Sequence, residues 1–279
     1  MAAVVSGGHV TLRDRDPGAR SFSQQQYPGF ADCAPSGRVR LDALARWMQD
    51  VAYADVADAG LERVAVWVVR RARIRVNRFP RFGERFRLTT FCSGVGRMWA
   101  ERRTNVTADT SGGSPSRNGG RGRVIADPDV EAVALWVHLD PEKGRPTPLT
   151  DAELEAYSGV EPLRRVTARL RHPAPPHASG AAAWQFRATE CDIAGHVNNA
   201  AYWEPLEEEL LSGDPEPSRL DAEIEFRAPA QPGPKRVIAE GDRRWIVDES
   251  GELHASIVLL DRTARPGLRA EIAAVGDGA

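Results

Sequence analysis

Between Leu41 and Ala52 apolar residues recur at three- and four-residue steps (Leu41, Leu44, Ala45, Met48, Ala52), with Asp42, Arg46, Gln49 and Asp50 on the rest of the wheel. That spacing predicts an amphipathic helix from about Val39 to Ala59, stopped at Gly60. The period then changes. From Val66 to Val76 the chain is rich in valine, and Arg71, Arg73 and Arg75 alternate with Ala72, Ile74 and Val76, as in a strand with one apolar face. A turn at Phe79-Pro80-Arg81-Phe82-Gly83 leads to predicted strands at Arg85 to Phe91, Met98 to Thr107 and Ala132 to Leu139. The stretch Asp109 to Gly122, full of Gly, Ser and Asn, reads as a mobile hairpin loop without a core of its own. A short helix at Thr150 to Tyr157 and a proline-containing linker at Arg171 to Gly180 close this half.

The second half repeats the order: a strand at Trp184 to Ala188, a helix at Asn199 to Leu211, then strands at Asp221 to Ala228, Val237 to Gly241, Arg243 to Asp248 and His254 to Leu260. Asp32 followed by Gly37-Arg38-Val39 and a helix matches Asp192 followed by Gly195-His196-Val197 and a helix, with two extra residues in the first copy. The shared order indicates duplication. One helix against an antiparallel sheet, repeated, is an α+β plan. The expected division is a first unit at 1–160, a linker at 161–182 and a second unit at 183–279.

Composition narrows the function classes. With 42% apolar and 27% charged residues and a net charge of -2, the chain reads as a globular protein. No apolar run has membrane-spanning length, and Met1 to Arg20 lacks a signal-peptide core, so a cytoplasmic location is expected. Cys33, Cys92 and Cys191 offer no metal-ligand spacing, and no cofactor motif occurs, so neither metal nor organic cofactor is expected. Arginines crowd the stretch from Arg70 to Arg103, where Glu84 and Glu101 alone oppose them. Such a stretch suits an acidic partner or a solvated sheet face. The chain lacks a helix-turn-helix pattern, so nucleic acid is not expected. A homodimer is left open.

The densest chemistry lies in Asp192-Ile-Ala-Gly195-His196-Val197-Asn198-Asn199-Ala-Ala-Tyr202. A carboxylate four residues before a histidine can orient the ring and fix its tautomer, leaving the imidazole as general base. Gly195 permits tight backbone geometry, and Asn198 or Asn199 can cap the next helix. Backbone N–H groups near Gly195 and Val197 are then placed to polarise a carbonyl. Cys191, beside the motif, is expected to pack rather than react. No GxSxG elbow, HExxH motif or phosphate-binding loop competes with this reading.

At this motif the chain resembles the acyl-ACP thioesterases of plants and bacteria, which are tandem (double) hotdog proteins. Arg40 to Asp50, Trp67 to Arg70, Arg78 to Glu84, Thr90 to Gly94, Leu135 to Val137 and Glu225 to Arg227 carry further likeness. The resemblance implies two units, each an antiparallel sheet wrapped around a long central helix, with the acyl pocket shaped by the first and catalysis in the second. It implies hydrolysis of acyl-ACP to a free fatty acid, with Asp192 and His196 catalytic. Gly195, Val197, Asn198, Asn199 and Tyr202 are then expected at the substrate, and Trp47 and Met48 at the acyl chain. Two positions depart: Ala194 stands where many relatives have a catalytic Asn, and Pro229 where plant relatives have a Glu. An acyl-CoA thioesterase, a dehydratase of the same fold or a non-catalytic acyl-thioester sensor are the alternatives. Arg71, Arg73 and Arg75, on one exposed strand face, are the expected docking surface for acyl carrier protein, with Arg164, Arg165 and Arg169 in reserve.

Overall fold

The first predicted helix forms as α1, Leu41–Asp58, and buries Leu41, Leu44, Ala45, Trp47, Val51 and Ala52 along one side. Its N-cap, Arg40, provides no side-chain cap. The carboxylate of Glu207, from the helix of the second half, accepts the Leu41 N–H at 3.0 Å instead. A buried helix start needs such an acceptor, and a negative charge there also suits the helix dipole.

The computed structural model describes residues 20–61, 66–109, 128–158, 164–176, 180–213 and 215–264. Around α1 lie β1 (Phe22–Gln26), β2 (Val66–Val76), β3 (Phe86–Val95), β4 (Trp99–Ala108), β5 (Val130–Leu139) and the short α2 (Asp151–Tyr157). The second half supplies β6 (Ala182–Phe186), α3 (Glu204–Ser212), β7 (Pro217–Phe226), β8 (Gly233–Glu240), β9 (Arg243–Val247) and β10 (Leu253–Ala264). β1 escapes the sequence reading because its Phe-Ser-Gln-Gln-Gln run has one apolar side chain, enough for an edge strand. Most of the loop expected at Asp109 to Gly122 lies outside the described residues.

The ten strands of the described residues join in one antiparallel sheet, ordered β1-β3-β4-β5-β2-β7-β10-β9-β8-β6. From one edge inward the order is β1, β3, β4, β5, β2, and from the other it is β6, β8, β9, β10, β7. Strand for strand the halves correspond, as duplication requires. One hydrophobic cluster, including Leu44, Ile74, Leu88, Phe186, Trp203, Ile224 and Ile246, runs through both halves.

The hydrogen bonds refine the internal match. Ala34 N–H donates to Arg38 O as Asp192 N–H does to His196 O, and Gly37 N–H to Ala34 O as Gly195 N–H does to Asp192 O. Arg40 N–H donates to Asp32 O as Asn198 N–H does to Glu190 O. The copies therefore align without the two-residue insertion expected. Asp32 corresponds to Glu190, while Ala34 and Arg38 stand where the second copy has Asp192 and His196.

Two expectations need correction. Among the described residues the first unit alone has a long helix: α1 has 18 residues, while α3 has 9 and follows a separate 3-10 turn at Ala201–Trp203. Pro205, in the first turn of α3, lacks the N–H needed to carry a regular helix through from Asn199. The arginine ladder is not a docking face either. Arg71, Arg73 and Arg75 lie opposite Glu225, Glu223 and Asp221 on β7, across the seam between the halves. Arg73 donates two bonds of 2.8 Å to Asp221, and Arg75 Nε donates a third at 2.9 Å. Arg71 is 5% exposed and donates to Arg169 O.

The segment between the halves is tied across this sheet. Val95 N–H donates to Arg164 O, Val166 N–H donates to Val95 O, and Trp99 Nε1 donates to Val166 O. Gly94 allows the approach, since a Cβ there would meet Val166 Cγ1 at 2.6 Å and Arg164 O at 2.8 Å. Farther on, Glu225 accepts from Arg171 N, His172 N and Arg227.

Candidate active site

The loop from Cys191 to Ala200 is held at both ends. Cys191 and Val197 form an antiparallel bridge, and Val197 N–H donates to Ala230 O at 2.9 Å. Between them the chain reverses at Gly195, whose φ of 79° is left-handed and free of penalty only for glycine. The reversal points Asp192 back into its own loop. Its Oδ1 accepts from Ala194 N at 2.9 Å and its Oδ2 from Asn198 Nδ2 at 3.0 Å. Asn198 Oδ1 in turn accepts from Ala200 N at 2.8 Å, which fixes the amide's orientation.

A cleft of about 520 Å³ opens beside this loop. α1 contributes Gln49, Ala52, Tyr53 and Val56, and Trp67, Trp136 and Tyr157 add aromatic surface. Asp192, Ile193, Ala194, Asn198 and Asn199 come from the opposite side. Tyr53 and Ile193 are exposed at its rim. A smaller inner pocket of about 40 Å³ is walled by Ala45, Met48, Val69, Ile74, Trp203 and Phe226. Gln49, Arg102, Trp136 and Asn199 line both spaces, so they form the neck between them.

The structure distributes the expected site residues unevenly. Asp192, Asn198 and Asn199 reach the cleft, and Met48 reaches the inner pocket. Trp47 is buried in the core. Tyr202 is also buried, between the rings of Phe186 and Phe226, and its hydroxyl accepts Ala230 N–H at 2.8 Å. Burial in this apolar setting pushes the Tyr202 hydroxyl up to about 12, helped by the Asp192 charge. Gly195 and Val197 N–H groups are both consumed within the protein, by Asp192 O and Ala230 O. They are therefore not the donors expected for a substrate carbonyl.

Asp192 and His196 are joined through the backbone bond Asp192 N–H to His196 O at 3.1 Å, and no side-chain hydrogen bond links them among the described residues. The Asp192 oxygens instead hold Ala194 and Asn198, and His196 Nδ1 is buried without a partner. The expected Asp-oriented imidazole is thus not preformed.

The sequence reading missed Gln49 because its helix lies far from the motif in the chain. It also missed a cluster of His172 with Glu223 and Glu225, whose ligand atoms lie within 4.8 Å of one another. Arg227 and two backbone N–H groups already occupy Glu225, so this cluster reads as a buried ionic network under the seam. Among the described residues, no helix is long and apolar enough to cross a membrane.

Residues 22–157 match the family model of the acyl-ACP thioesterase N-terminal domain. The uncharacterized protein Rv2001 of Mycobacterium tuberculosis is 24% identical over 197 residues, 70% of this chain and 72% of its own length. Among solved structures, an acyl-ACP thioesterase from Bacteroides thetaiotaomicron is 17% identical with a TM-score of 0.63, covering 86% of this chain and 96% of its own. The 12:0-ACP thioesterase of Umbellularia californica is 15% identical with a TM-score of 0.65, covering 88% of this chain and 98% of its own. These two share the fold. Residues 22–157 thus match the N-terminal domain of the acyl-ACP thioesterase family, and the chain shares the double hotdog fold of those two structures.

Proposed function

We propose that this protein hydrolyses a fatty acyl thioester of acyl carrier protein to a free fatty acid and the carrier's thiol. The observation that carries the reading is the cleft itself. Its walls, from α1 and the first unit's strands, are apolar apart from Gln49, Asp50, Glu101 and Arg102, while an oriented carboxylate, Asp192, enters from the second unit. An acyl chain would lie along the walls, with its thioester carbon near Asp192. The match of residues 22–157 to the acyl-ACP thioesterase N-terminal domain supports the carrier protein as the group on the sulfur.

Asp192 takes the role of water activator, because it lines the cleft and His196 does not. Water held by its carboxylate attacks the carbonyl carbon. The proton passes to Asp192 as the C–O bond forms, and the carbonyl π electrons move onto oxygen. Collapse re-forms the carbonyl, breaks the C–S bond and expels the thiolate, which Asp192 reprotonates. No metal or organic cofactor enters these steps. His196, whose Nδ1 is buried and unpaired and which does not line the cleft, is assigned no step in this scheme.

Thiol release by the purified protein from matched acyl-ACP and acyl-CoA panels tests the reading. The expected result is turnover of both, with kcat/KM for acyl-ACP at least about tenfold higher, since an added protein contact worth ~1.4 kcal/mol gives that factor. Equal values would assign it to acyl-CoA or to thioesters in general. No release from any substrate would leave a binding protein.

A further inference from the structure

We infer that Gln49, on the long helix of the first unit, is a catalytic hydrogen-bond donor to the thioester carbonyl in the second unit's site. The inference rests on the thioesterase reading above and names a group that the loop motif does not contain. Attack at a thioester needs donors for the oxygen that gains charge. The loop has few left. Gly195 and Val197 N–H are bonded to Asp192 O and Ala230 O, and Ala194 N–H is bonded to Asp192 Oδ1. The Asn198 amide is committed at both ends, to Asp192 and to Ala200. Ala194 has no polar side chain to offer.

Besides the unpartnered Trp136 indole N–H, two primary amides stand at the neck between the cleft and the inner pocket, Gln49 from α1 and Asn199 from the loop. Neither side chain has a hydrogen-bond partner among the described residues, and neither does the Asn199 N–H. All three donors therefore stand uncommitted within reach of the space that Asp192 addresses.

The other half of the molecule supplies the control. In the internal alignment Gln49 corresponds to Glu207, His196 to Arg38, and Asn199 to Leu41. There Glu207 Oε1 pairs with Arg38 at 2.7 Å, and Glu207 Oε2 accepts Leu41 N–H at 3.0 Å. Arg38 also pairs with Glu216 at 2.5 Å. This helix position thus reaches the start of the opposing unit's helix and the basic residue of its loop. In the first copy the contact is locked by charge, and Ala34 stands where the second copy has Asp192. In the second copy a neutral amide takes the corresponding helix position, its donor unspent, and lines the same cleft as Asp192. The arrangement gives one working site per chain, assembled from both units.

During reaction, Gln49 Nε2 and Asn199 would hold the carbonyl oxygen as it gains the π electrons, and would release it when the C–S bond breaks. Neither donor exchanges a proton.

The test is kinetic, on the full chain, with acyl-ACP as substrate and Asp192→Asn as reference. Gln49→Met keeps length and volume and removes the donor. It is expected to lower kcat by about 100- to 1,000-fold, as loss of one oxyanion donor does, with KM within threefold and an unchanged thermal midpoint. Gln49→Glu is expected to be slow at neutral pH and to recover on acidification, because only the protonated acid donates. Gln49→Met turning over within threefold of wild type, beside an inactive Asp192→Asn, would overturn the inference and leave the thioesterase reading standing. A Gln49→Glu profile parallel to that of wild type would overturn it too, even if Gln49→Met were unstable. A wild-type protein that hydrolyses no thioester would remove both.

Discussion

Asn198 Nδ2 donates to Asp192 Oδ2 at 3.0 Å, while Asn198 Oδ1 accepts the N–H of Ala200 at 2.8 Å. The amide is therefore a fixed strut between the helix start and the carboxylate, and Asn198 is a positioning residue for Asp192.

The first prediction follows from this strut. Asp192→Asn should lower kcat on acyl-ACP by about 100- to 10,000-fold, the range for a general base. Asn198→Ala should lower kcat by roughly 100-fold, as a small misplacement of a catalytic group can, with KM little changed. Asn198→Asp should not rescue, since it has no amide to donate. A fall in stability with kcat unchanged would make Asn198 purely structural. His196→Ala, lacking a side-chain link to Asp192, should cost less than Asp192→Asn. The reverse order, from steady-state kinetics on folded variants, would return the base to His196.

The seam arginines give a stability prediction. Arg73 and Asp221 have side chains 11% and 9% exposed, and Arg73→Ala leaves the carboxylate with Arg75 alone. Losing the charged hydrogen bonds of Arg73 while Arg75 still holds the carboxylate costs about 1.5–3 kcal/mol. Denaturant unfolding should register a loss of that order. The ratio of kcat/KM for acyl-ACP over acyl-CoA should stay constant, and a selective fall on acyl-ACP would restore the ladder as a carrier-docking face.

Glu204 sets a pH dependence. It lines a polar pocket with Arg40, Asp42, Glu190 and Lys235, and burial there raises its carboxyl to about 7, with the charges of Glu190 and Asp42 adding to the rise and Arg40 and Arg46 opposing it. A carboxyl raised from 4.5 in the unfolded chain binds its proton more tightly when folded. Its contribution is therefore complete below about pH 4.5 and lost as pH rises through 7. Relative to wild type, Glu204→Gln should gain thermal stability between pH 5 and roughly 8. A difference between the two that does not vary with pH would refute the shift.

Met48 and Trp47 should separate in function although they are adjacent. Met48 lines the inner pocket, so Met48→Trp should move the preferred acyl chain toward shorter lengths. Trp47 is 4% exposed in the core, so Trp47→Ala should cost about 3–5 kcal/mol and leave the chain-length order intact. A chain-length panel run beside thermal denaturation distinguishes them.

Much of this protein is decided locally. The periods of 3.6 and 2 along the chain locate α1, β2 and the strands after it, because each buries one face and the burial is written residue by residue. The repeated order of elements reveals the duplication, and the Asp192-to-Tyr202 motif marks the loop, since Gly195 and Asn198 act within a few residues of one another. The rest depends on residues distant in sequence. Whether Arg73 faces solvent or a partner was settled by Asp221, brought beside it when β2 pairs with β7. Whether Val197 N–H serves a substrate was settled by Ala230 O. The break before α3 could be read from Pro205, but the difference between Gln49 and Glu207 could not. Equivalent positions on two helices become a free donor or a locked ion pair according to what the opposing loop presents, and only the folded chain brings helix and loop together.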